Sequence, residues 1–320
     1  MNGKFAAVPR TLLPALCLTL GMSVAGAEDN PLVTFSYQTF TVPGAVTLSV
    51  ESINDSGTVS GYYTDASGDT TSFLRASNGT ITTYADPKDT SSPSYTQGGQ
   101  INKNGLVAGE YFNTAAITYE GFVYKSSAGT FSNYQVPGEP QYTSTGLYGI
   151  NDKGNLCGFI FPPPFTTESA FIEVSGTVTI FSVFGAATSA CYALNDSGTA
   201  VGYYADSAGV YHGWMRTSTG TITTIDVPGA ATTPGTAPCG TASVAGTVVL
   251  GINAAGYVSG HYWDTSYNEH GFIRTPSGGY IHINAPGAYQ TSGGGLNDHV
   301  VLVGHYLDSS CNWTGYIATP

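Results

Sequence analysis

The sequence predicts an all-β protein, a six-bladed β-propeller built from four-stranded antiparallel blades. Three observations predict this fold. A short phrase of Ile or Leu followed by Asn recurs six times, each repeat contains four strand-like runs, and the strand missing from the last repeat is found before the first. The phrase is anchored on Asn54, Asn102, Asn151, Asn195, Asn253 and Asn297, at intervals of 48, 49, 44, 58 and 44 residues. Repeats of this size are typical of propellers, solenoids and repeat arrays.

The fourth repeat shows how a blade is encoded. Its four runs cover 190–194, 199–204, 212–216 and 221–225, and they are rich in β-branched and aromatic residues. Turn residues separate the runs, including Asn195-Asp196-Ser197-Gly198 and Ser218-Thr219-Gly220. Such runs indicate short antiparallel strands, and four per repeat is the number in a propeller blade. No helical periodicity is present in the mature chain.

Ring closure is predicted by a displaced strand. The fourth strand of a repeat is followed by Pro-Gly-Ala, as at Pro228 and Pro286, and repeat six ends at Pro320 after its third strand. A copy of the missing unit lies at 33–45, ending in Pro43-Gly44-Ala45. An open array would expose sheet edges that invite aggregation. We therefore expect the N-terminal strand to complete the last blade. A β-solenoid is the alternative, but its coils are usually shorter and would not require the displaced strand.

The first 27 residues are typical of a secretory signal. Lys4 and Arg10 form the positive end, 11–24 form a short apolar core, and Ala25-Gly26-Ala27 fits a cleavage site. The apolar core is short for a membrane anchor, and no other segment is predicted to cross a membrane. We expect a secreted or periplasmic chain that starts at Glu28. The single propeller domain would cover 28–320, with repeats near 46–90, 91–140, 141–186, 187–230, 246–288 and 289–320 plus 33–45.

Composition limits the partners. The chain has 9 Lys and Arg against 21 Asp and Glu, a net charge of −12, and only 9% charged residues. Binding to nucleic acid or to anionic lipid needs clustered basic side chains, so both partners are disfavoured. We expect a monomer without a cofactor, and calcium is kept as an alternative.

Four cysteines remain after cleavage, and disulfides are expected in an exported protein. Cys239 lies in the long stretch that lengthens the fourth interval, and Cys311 lies in the turn after the second strand of blade six. These two loop types share a face of a propeller, which favours a Cys239–Cys311 bridge. Cys157 and Cys191 fall on strands of neighbouring blades and would either pair or remain buried thiols.

The third strands carry a family signature. They read His212-Gly213-Trp214 and His270-Gly271-Phe272, with Gly121-Phe122, Ala170-Phe171 and Gly315-Tyr316 in other blades. Together with the Asn phrase and the Pro-Gly-Ala turn, this resembles the bacterial extracellular repeat family named after its His-Ala-Phe signature. The signature His position is otherwise occupied by Thr71, Glu120, Ser169 and Thr314. The resemblance implies an exported repeat protein, and it brings no catalytic residues.

A recurring acidic position marks one candidate binding surface. Five blades carry a carboxylate or amide where the second strand meets its outer loop, at Asp65, Asn113, Asp206, Asp264 and Asp308. Such a ring could bind calcium or a hydroxyl-rich ligand, although we favour the simpler interpretation that each residue initiates its own turn. Three nearby aromatic residues could stack on sugar rings or simply cover the core, and they are Trp263, Trp313 and Tyr267.

Residues that break the repeat are the other candidates. The position after the second-strand glycine holds Tyr62, Glu110, Phe159, Tyr203, His261 and His305. His261 and His305, with Asp264 and Asp308, are the candidate metal ligands, and the alternative is that both His are hydrogen-bonded between blades. Glu110 and Glu120 bracket the outer loop of blade two, and paired carboxylates are what glycoside hydrolysis needs. Glu110, Glu120, His261 and His305 are therefore the catalytic candidates.

Three functions are compatible with the sequence. The first is an exported binding module for a carbohydrate or a surface partner, which we favour. The second is a hydrolase or lyase acting on an extracellular polysaccharide, and the third is a structural scaffold. No motif for a serine nucleophile, a zinc protease or a phosphate-binding loop is present.

Overall fold

The computed structural model describes residues 34–140, 143–240 and 243–320. The signal segment 1–27 and the start of the mature chain at Glu28 lie outside the described residues. Every regular element in the described ranges is a β-strand. Among those residues, the structure has no helix with the length and hydrophobicity needed to cross a membrane.

Six four-stranded antiparallel units form the blades, and one parallel pair, Tyr211 with Gly246, joins blades four and five into a single sheet. The first described strand is β1 (Ser36–Phe40), and blades one to three follow it in the first half of the chain. Blade one contains β2 (Ala45–Ile53), β3 (Val59–Asp65), β4 (Thr70–Arg75) and β5 (Ile81–Tyr84). Blade two contains β6 (Thr96–Ile101), β7 (Leu106–Asn113), β8 (Thr118–Lys125) and β9 (Thr130–Tyr134). Blade three contains β10 (Ser144–Ile150), β11 (Leu156–Phe161), β12 (Ser169–Val174) and β13 (Thr177–Phe181).

The second half of the chain repeats this pattern with one insertion. Blade four contains β14 (Thr188–Leu194), β15 (Ala200–Ala205), β16 (Tyr211–Arg216) and β17 (Ile222–Ile225). The insertion forms a short hairpin with two residues in each strand, β18 (Gly235–Thr236) and β19 (Ser243–Val244). Blade five contains β20 (Gly246–Ile252), β21 (Val258–Trp263), β22 (Glu269–Arg274) and β23 (Tyr280–Ile283). Blade six contains β24 (Gln290–Leu296), β25 (Leu302–Leu307) and β26 (Trp313–Thr319).

Strand β1 supplies the fourth strand of blade six. It pairs antiparallel with β26, in a register that runs from Ser36 opposite Thr319 to Phe40 opposite Gly315. The first strand of each blade packs against strands of its neighbours, and β2 of blade one packs against β24, β25 and β26. The ring is therefore closed, which confirms the six-bladed propeller and the predicted strand exchange.

The second-strand glycines recur because the space around them is crowded within the blade itself. At Gly61 an added Cβ would lie 2.2 Å from the carbonyl oxygen of Ser49 and 2.8 Å from the ring of Phe73, both in the same sheet. The fully buried aromatic residue of the third strand thus occupies the space above the glycine. The recurring glycine and the recurring third-strand aromatic residue are one packing unit.

The six recurring asparagines form a closed ring of hydrogen bonds. Each Nδ2 donates to the carbonyl oxygen of the Asn in the next blade, at 2.9 to 3.3 Å, and the last bond runs from Asn297 back to Asn54. The side-chain oxygen meanwhile accepts backbone N–H groups of its own turn, as Asn54 does from Thr58. Each recurring Asn therefore caps its own turn and links its blade to the next.

One disulfide joins the insertion to blade six. Cys239 and Cys311 are bonded and lie 72 positions apart in sequence, so the long loop is attached to the outer loop of the last blade. Cys157 and Cys191 are free and fully buried thiols. They lie in one core cluster between blades three and four, which answers the question the sequence left open.

Candidate functional site

The central channel is shaped by a β-bulge that recurs in all six blades. The pairing of each first strand with its second shifts register near the middle of the strand. Bulges re-aim side chains and are common beside functional sites. The residues left out of the pairing are Glu51, Gly99-Gln100, Tyr148, Tyr192, Leu250 and Gly294-Gly295. Several of these line a cavity in the channel.

Gln100 crosses the channel at this level. Its side-chain amide reaches from blade two to blade five, where Nε2 donates to the carbonyl oxygen of Leu250 at 3.0 Å. Its Oε1 accepts the hydroxyl of Ser52 in blade one at 2.8 Å. The side chain therefore acts as a strut between blades on opposite sides of the axis.

Two cavities lie on either side of this strut. We call the face that carries the connections between blades the upper face, and the face that carries the Asn turns the lower face. The lower cavity, of about 120 Å³, is lined by the Asn ring, by Gln100 and by residues beside the ring such as Asp196. The upper cavity, of about 270 Å³, is walled by blades one, four, five and six, and no residue lines both cavities.

One wall of the upper cavity is aromatic. Its members are Tyr192, Tyr203, Tyr211 and Trp263, from blades four and five. The rings contact one another in sequence, with centroids 5.4 Å apart for Tyr192 and Tyr203, 5.3 Å for Tyr203 and Tyr211, and 6.2 Å for Tyr211 and Trp263. Trp263, a predicted ligand-binding residue, thus lies in the wall, at the end of β21 nearest the upper face.

A polar part of the lining comes from blades five, six and one, and it meets the aromatic wall at His261, whose ring centroid lies 5.0 Å from that of Trp263. His261 Nδ1 lies 3.1 Å from the hydroxyl of Ser292 and 3.6 Å from Glu269 Oε1. His305 Nδ1 accepts the backbone N–H of Val50 at 3.4 Å. Both predicted His residues are therefore hydrogen-bonded between blades and also line the cavity.

Burial suppresses charge along this wall. It lowers the pKa of His305 to about 4, with the neighbouring Glu269 acting in the opposite direction. Burial also raises the pKa of Glu51, while a hydrogen bond from Ser49 acts against the rise. Both side chains are only half-buried by surface area, but their free surface faces the cavity and is remote from bulk water. A charge on either one would be poorly solvated.

Glu110 lies on the other side of the channel and does not line the upper cavity. It is 3% exposed; Tyr95 donates to its Oε1 at 3.3 Å, and its buried Oε2 has no hydrogen-bond partner among the described residues. Burial, opposed by the hydrogen bond from Tyr95 and reinforced by the nearby Glu168, raises its pKa to about 8. Phe159 and Tyr148 occupy the same side, with ring centroids 5.3 Å apart.

Glu120 and Glu110 have different hydrogen-bond partners. Tyr111 donates its hydroxyl to Glu120 Oε2 at 2.6 Å, and the amide of Asn113 donates to Oε1. The carboxylate is thus held by neighbours on its own blade. The structure does not bring Glu110, His261 and His305 together around a single space.

The recurring carboxylates near the upper face are engaged in their own turns. Asp206, Asp264 and Asp308 each accept two backbone N–H groups from the loop that follows. The backbone of Val210 lowers the pKa of Asp206, and the amide of Asn312 lowers that of Asp308. At Asp264 burial opposes ionisation, but His270 and the loop outweigh it and lower the pKa. This is the turn interpretation that the sequence favoured.

The signature histidines connect these carboxylates to the fourth strand. His212 lies 3.6 Å from Asp206 and 3.0 Å from Asp226. His270 lies 3.1 Å from Asp264 and 2.7 Å from Asn284. Each imidazole therefore fastens the outer edge of its blade.

The remaining candidates fall outside the upper cavity. Trp313 packs against His305 from blade six, with ring centroids 5.1 Å apart. Tyr267 packs against the insertion, directly over Gly235. Among the residues described, no group of three or more His, Cys, Asp or Glu side chains could hold a metal ion. Asp264 and Asp308 are bound in their turns, whereas His261 and His305 face the channel.

The sequence did not identify several cavity residues. Glu51, Tyr192 and Leu250 all stand three residues before the recurring Asn. That position varies from blade to blade at a fixed distance from the recurring Ile-Asn or Leu-Asn pair, which is the signal that could have found them. Tyr211 and Ser292 have no comparable signal.

The fold and the site together define a six-bladed β-propeller with an upper cavity whose lining is partly aromatic and partly polar. The chain is similar in structure to TolB from Acinetobacter baumannii, with a TM-score of 0.51 and 9% identity, over 82% of this chain and 64% of TolB. It is also similar to AofleA from Arthrobotrys oligospora, with a TM-score of 0.49 and 9% identity, over 92% of this chain and 86% of AofleA.

A third similar structure is a fungal lectin from Aleuria aurantia, described as a six-bladed β-propeller with a novel mode of fucose recognition. Its TM-score is 0.44 at 11% identity, over 88% of this chain and 98% of the lectin. At such identities the likeness concerns the fold alone. No protein-family model and no curated protein matches the chain.

Proposed function

We propose that this protein is an exported carbohydrate-binding module that holds an uncharged sugar in the upper cavity. The observation that carries the proposal is the cavity itself, about 270 Å³ in volume, with an aromatic wall that meets a polar wall. This volume lies near the lower limit of small-molecule sites in proteins, which are mostly apolar with a few placed polar groups.

The two walls suit the two sides of a sugar. A pyranose ring presents a C–H face that packs on aromatic rings and hydroxyl groups that need hydrogen-bond partners. Trp263 and Tyr203 supply aromatic surface. Ser292 and Glu51 supply polar atoms from blades six and one, and His261 supplies one beside Trp263. A purely apolar ligand would leave the remaining hydrogen-bonding capacity of these groups unused, which is costly in a buried site.

The ligand should be uncharged. At neutral pH His305 is neutral, and the raised pKa of Glu51 disfavours its charged form. A sulfated, phosphorylated or amino sugar would therefore enter a poorly hydrated cavity without a strong opposite charge. Neutral hexoses, deoxyhexoses and pentoses fit better.

Binding is better supported than hydrolysis. Glycoside hydrolysis uses two carboxyl groups flanking the scissile bond, and the described lining contributes one, Glu51. Glu110 and Glu120, the carboxylates suggested by sequence, do not line the cavity. The hydrolase or lyase function is therefore kept as an outcome of the experiment below.

The proposal includes export of the protein and its resemblance to the His-Ala-Phe repeat family. The secretory signal at 1–27 and the Cys239–Cys311 disulfide both suit an oxidising compartment outside the cytoplasm. The paired roles of His212 and His270 also give the His-Ala-Phe resemblance a structural reason, since each fastens its blade through its neighbours. We propose that the mature chain acts as a monomer in the periplasm or the medium.

The test is calorimetric titration of residues 28–320 with methyl glycosides and short oligosaccharides of neutral sugars, with and without EDTA. We expect at least one sugar to bind equally well in EDTA. Trp263→Ala should weaken it by tenfold or more, which is about 1.4 kcal/mol. Tyr289→Ala is the control, because this exposed tyrosine lies on the upper face outside the cavity.

A second variant guards against misfolding, since Trp263 is also part of a core cluster. Tyr211→Ala removes a half-buried ring of the same wall and should weaken the same sugar while thermal melting stays cooperative. New reducing ends in the titrated samples would replace binding by hydrolysis as the function. Failure of every neutral sugar to bind would overturn the proposal.

A further inference from the structure

We propose that the upper cavity binds the terminal residue of a glycan chain end-on and excludes residues inside an unbroken chain. The inference rests on the proposed function and specifies its ligand. An internal residue is linked to two neighbours and needs two exits from its site, whereas a terminal residue needs one. The upper cavity provides one.

The floor is closed by the strut and by the residues above it. Gln100 bonds to Leu250 on the far side of the axis at 3.0 Å and to Ser52 at 2.8 Å. It packs against the backbone of Gly295, where an added Cβ would lie 3.1 Å from its Oε1. Glu51 and Leu250 line the cavity above this layer, while Ser52 and Gln100 line the cavity below it.

The side walls are closed as well. Towards blade three the aromatic wall continues without a break, because Tyr148 stacks on Tyr192 with centroids 4.4 Å apart and Phe159 packs behind Tyr148. On the side of blade six, Ser292 is bonded to His261 of blade five. Neighbouring blades are thus joined across the cavity wall on these two sides.

The opening lies at the upper face. Tyr211 begins β16 and Trp263 ends β21, both at the level of the upper connections, and Val244 of the insertion completes the rim. A sugar entering here moves along the propeller axis with its next residue behind it. The rest of the glycan then remains above the upper face.

The experiment uses whichever sugar binds as a methyl glycoside, together with its linear oligomers and its long polymer. For end-on binding, the Kd per molecule should stay within about twofold from dimer to hexamer, because each molecule presents one matching end. The long polymer, compared with the hexamer at equal mass, should compete more weakly by on the order of tenfold or more, in proportion to its fewer ends. Trimming the polymer to hexamers should restore competition.

Two controls separate the outcomes. Trp263→Ala should weaken competition by oligomer and polymer alike, by tenfold or more, if both bind in the same cavity. Competition by polymer and hexamer in proportion to mass, with wild-type protein, would overturn end-on binding and leave the carbohydrate function standing. Failure of all sugars to bind would overturn both.

Discussion

At the scale of single residues, Glu110 is the most unusual group in the molecule. Its carboxyl group is buried at 3% exposure, Tyr95 donates to one oxygen, and the other oxygen has no partner among the described residues. Burial favours the neutral acid and raises the pKa to about 8 from an ordinary value of 4.5. Glu168 behaves similarly, since burial raises its pKa to about 7.

This buried acid should make stability depend on pH. Between pH 4.5 and 8 the unfolded chain releases the proton of Glu110 while the folded chain keeps it. The free energy of unfolding should therefore fall as pH rises through this window, by about 4 kcal/mol from this residue, and level off above it. Glu110→Gln, which cannot ionise, should remove most of that decline in urea unfolding at pH 5 and pH 9.

The control is Glu139→Gln, in the surface connection between blades two and three, which should leave the decline unchanged. A wild-type protein equally stable at both pH values would show that Glu110 ionises freely in the fold. Glu168 will retain part of the decline in the Glu110 variant, because its pKa is also raised.

The channel-facing residues show what sequence can and cannot provide. His261, His305 and Glu110 were found because they replace one another at a single position of the repeat. Trp263 was found because it is a large aromatic residue beside an outer loop. Glu51 and Tyr192 were missed because the direction of their side chains depends on a β-bulge. A bulge adds one residue to a strand and leaves no turn residue in the sequence to mark it. Contacts across the axis, such as Gln100 to Leu250, have no sequence pattern.

At the scale of elements, β1 shows how one displaced strand holds the ring. Phe40 fits over Gly315, where an added Cβ would lie 2.5 Å from its ring, and the guanidinium of Arg75 lies 5.0 Å above the same ring. Val42 is buried in the core between blades six and one. The strand therefore contributes packing to two blades as well as pairing to β26.

Deleting 28–44 should destabilise the protein strongly. The loss of the buried Val42 and the half-buried Phe40 alone is worth about 2–4 kcal/mol. Strand β26 would also become an exposed edge open to pairing with other molecules. We expect a melting temperature lower by about 10 °C or more and concentration-dependent association in light scattering. A synthetic peptide of residues 33–45 added in trans should reverse both effects, while a scrambled peptide should not.

A truncated protein that melts at the wild-type temperature would contradict the role assigned to β1. The strand could be predicted because its Pro-Gly-Ala ending matches other fourth strands. The hairpin of β18 and β19 could not be predicted, because it has two residues per strand and no counterpart in the other repeats.

At the scale of the whole molecule, the Asn ring joins all six blades in one circle. Asn151 illustrates the double role, with Oδ1 accepting from Lys153 and Asn155 in its own turn and Nδ2 donating to the carbonyl oxygen of Asn195 at 3.2 Å. Asn151→Asp keeps the acceptor and removes the donor across the blade boundary.

We expect Asn151→Asp to lower the free energy of unfolding by about 1–3 kcal/mol, since a buried carbonyl loses its partner. Asn151→Ala should cost more, because the turn also loses its cap. Asn78→Asp, at an exposed turn outside the ring, should change stability by less than about 0.5 kcal/mol. Chemical denaturation measures all three, and equal effects for Asn151→Asp and Asn78→Asp would assign no stabilising role to the ring.

The pairing of β1 with β26 also has a consequence for the order of folding. Within each of the first five blades the strands are joined by turns and can pair with close neighbours in sequence. Blade six alone joins residues 283 positions apart, as in the hydrogen bond from Ser36 to the carbonyl of Thr319. Distant contacts form slowly because a long loop must be closed first. The ring should therefore close last, after the final strand of the chain has been made, and β1 should be the slowest strand to become protected from amide exchange.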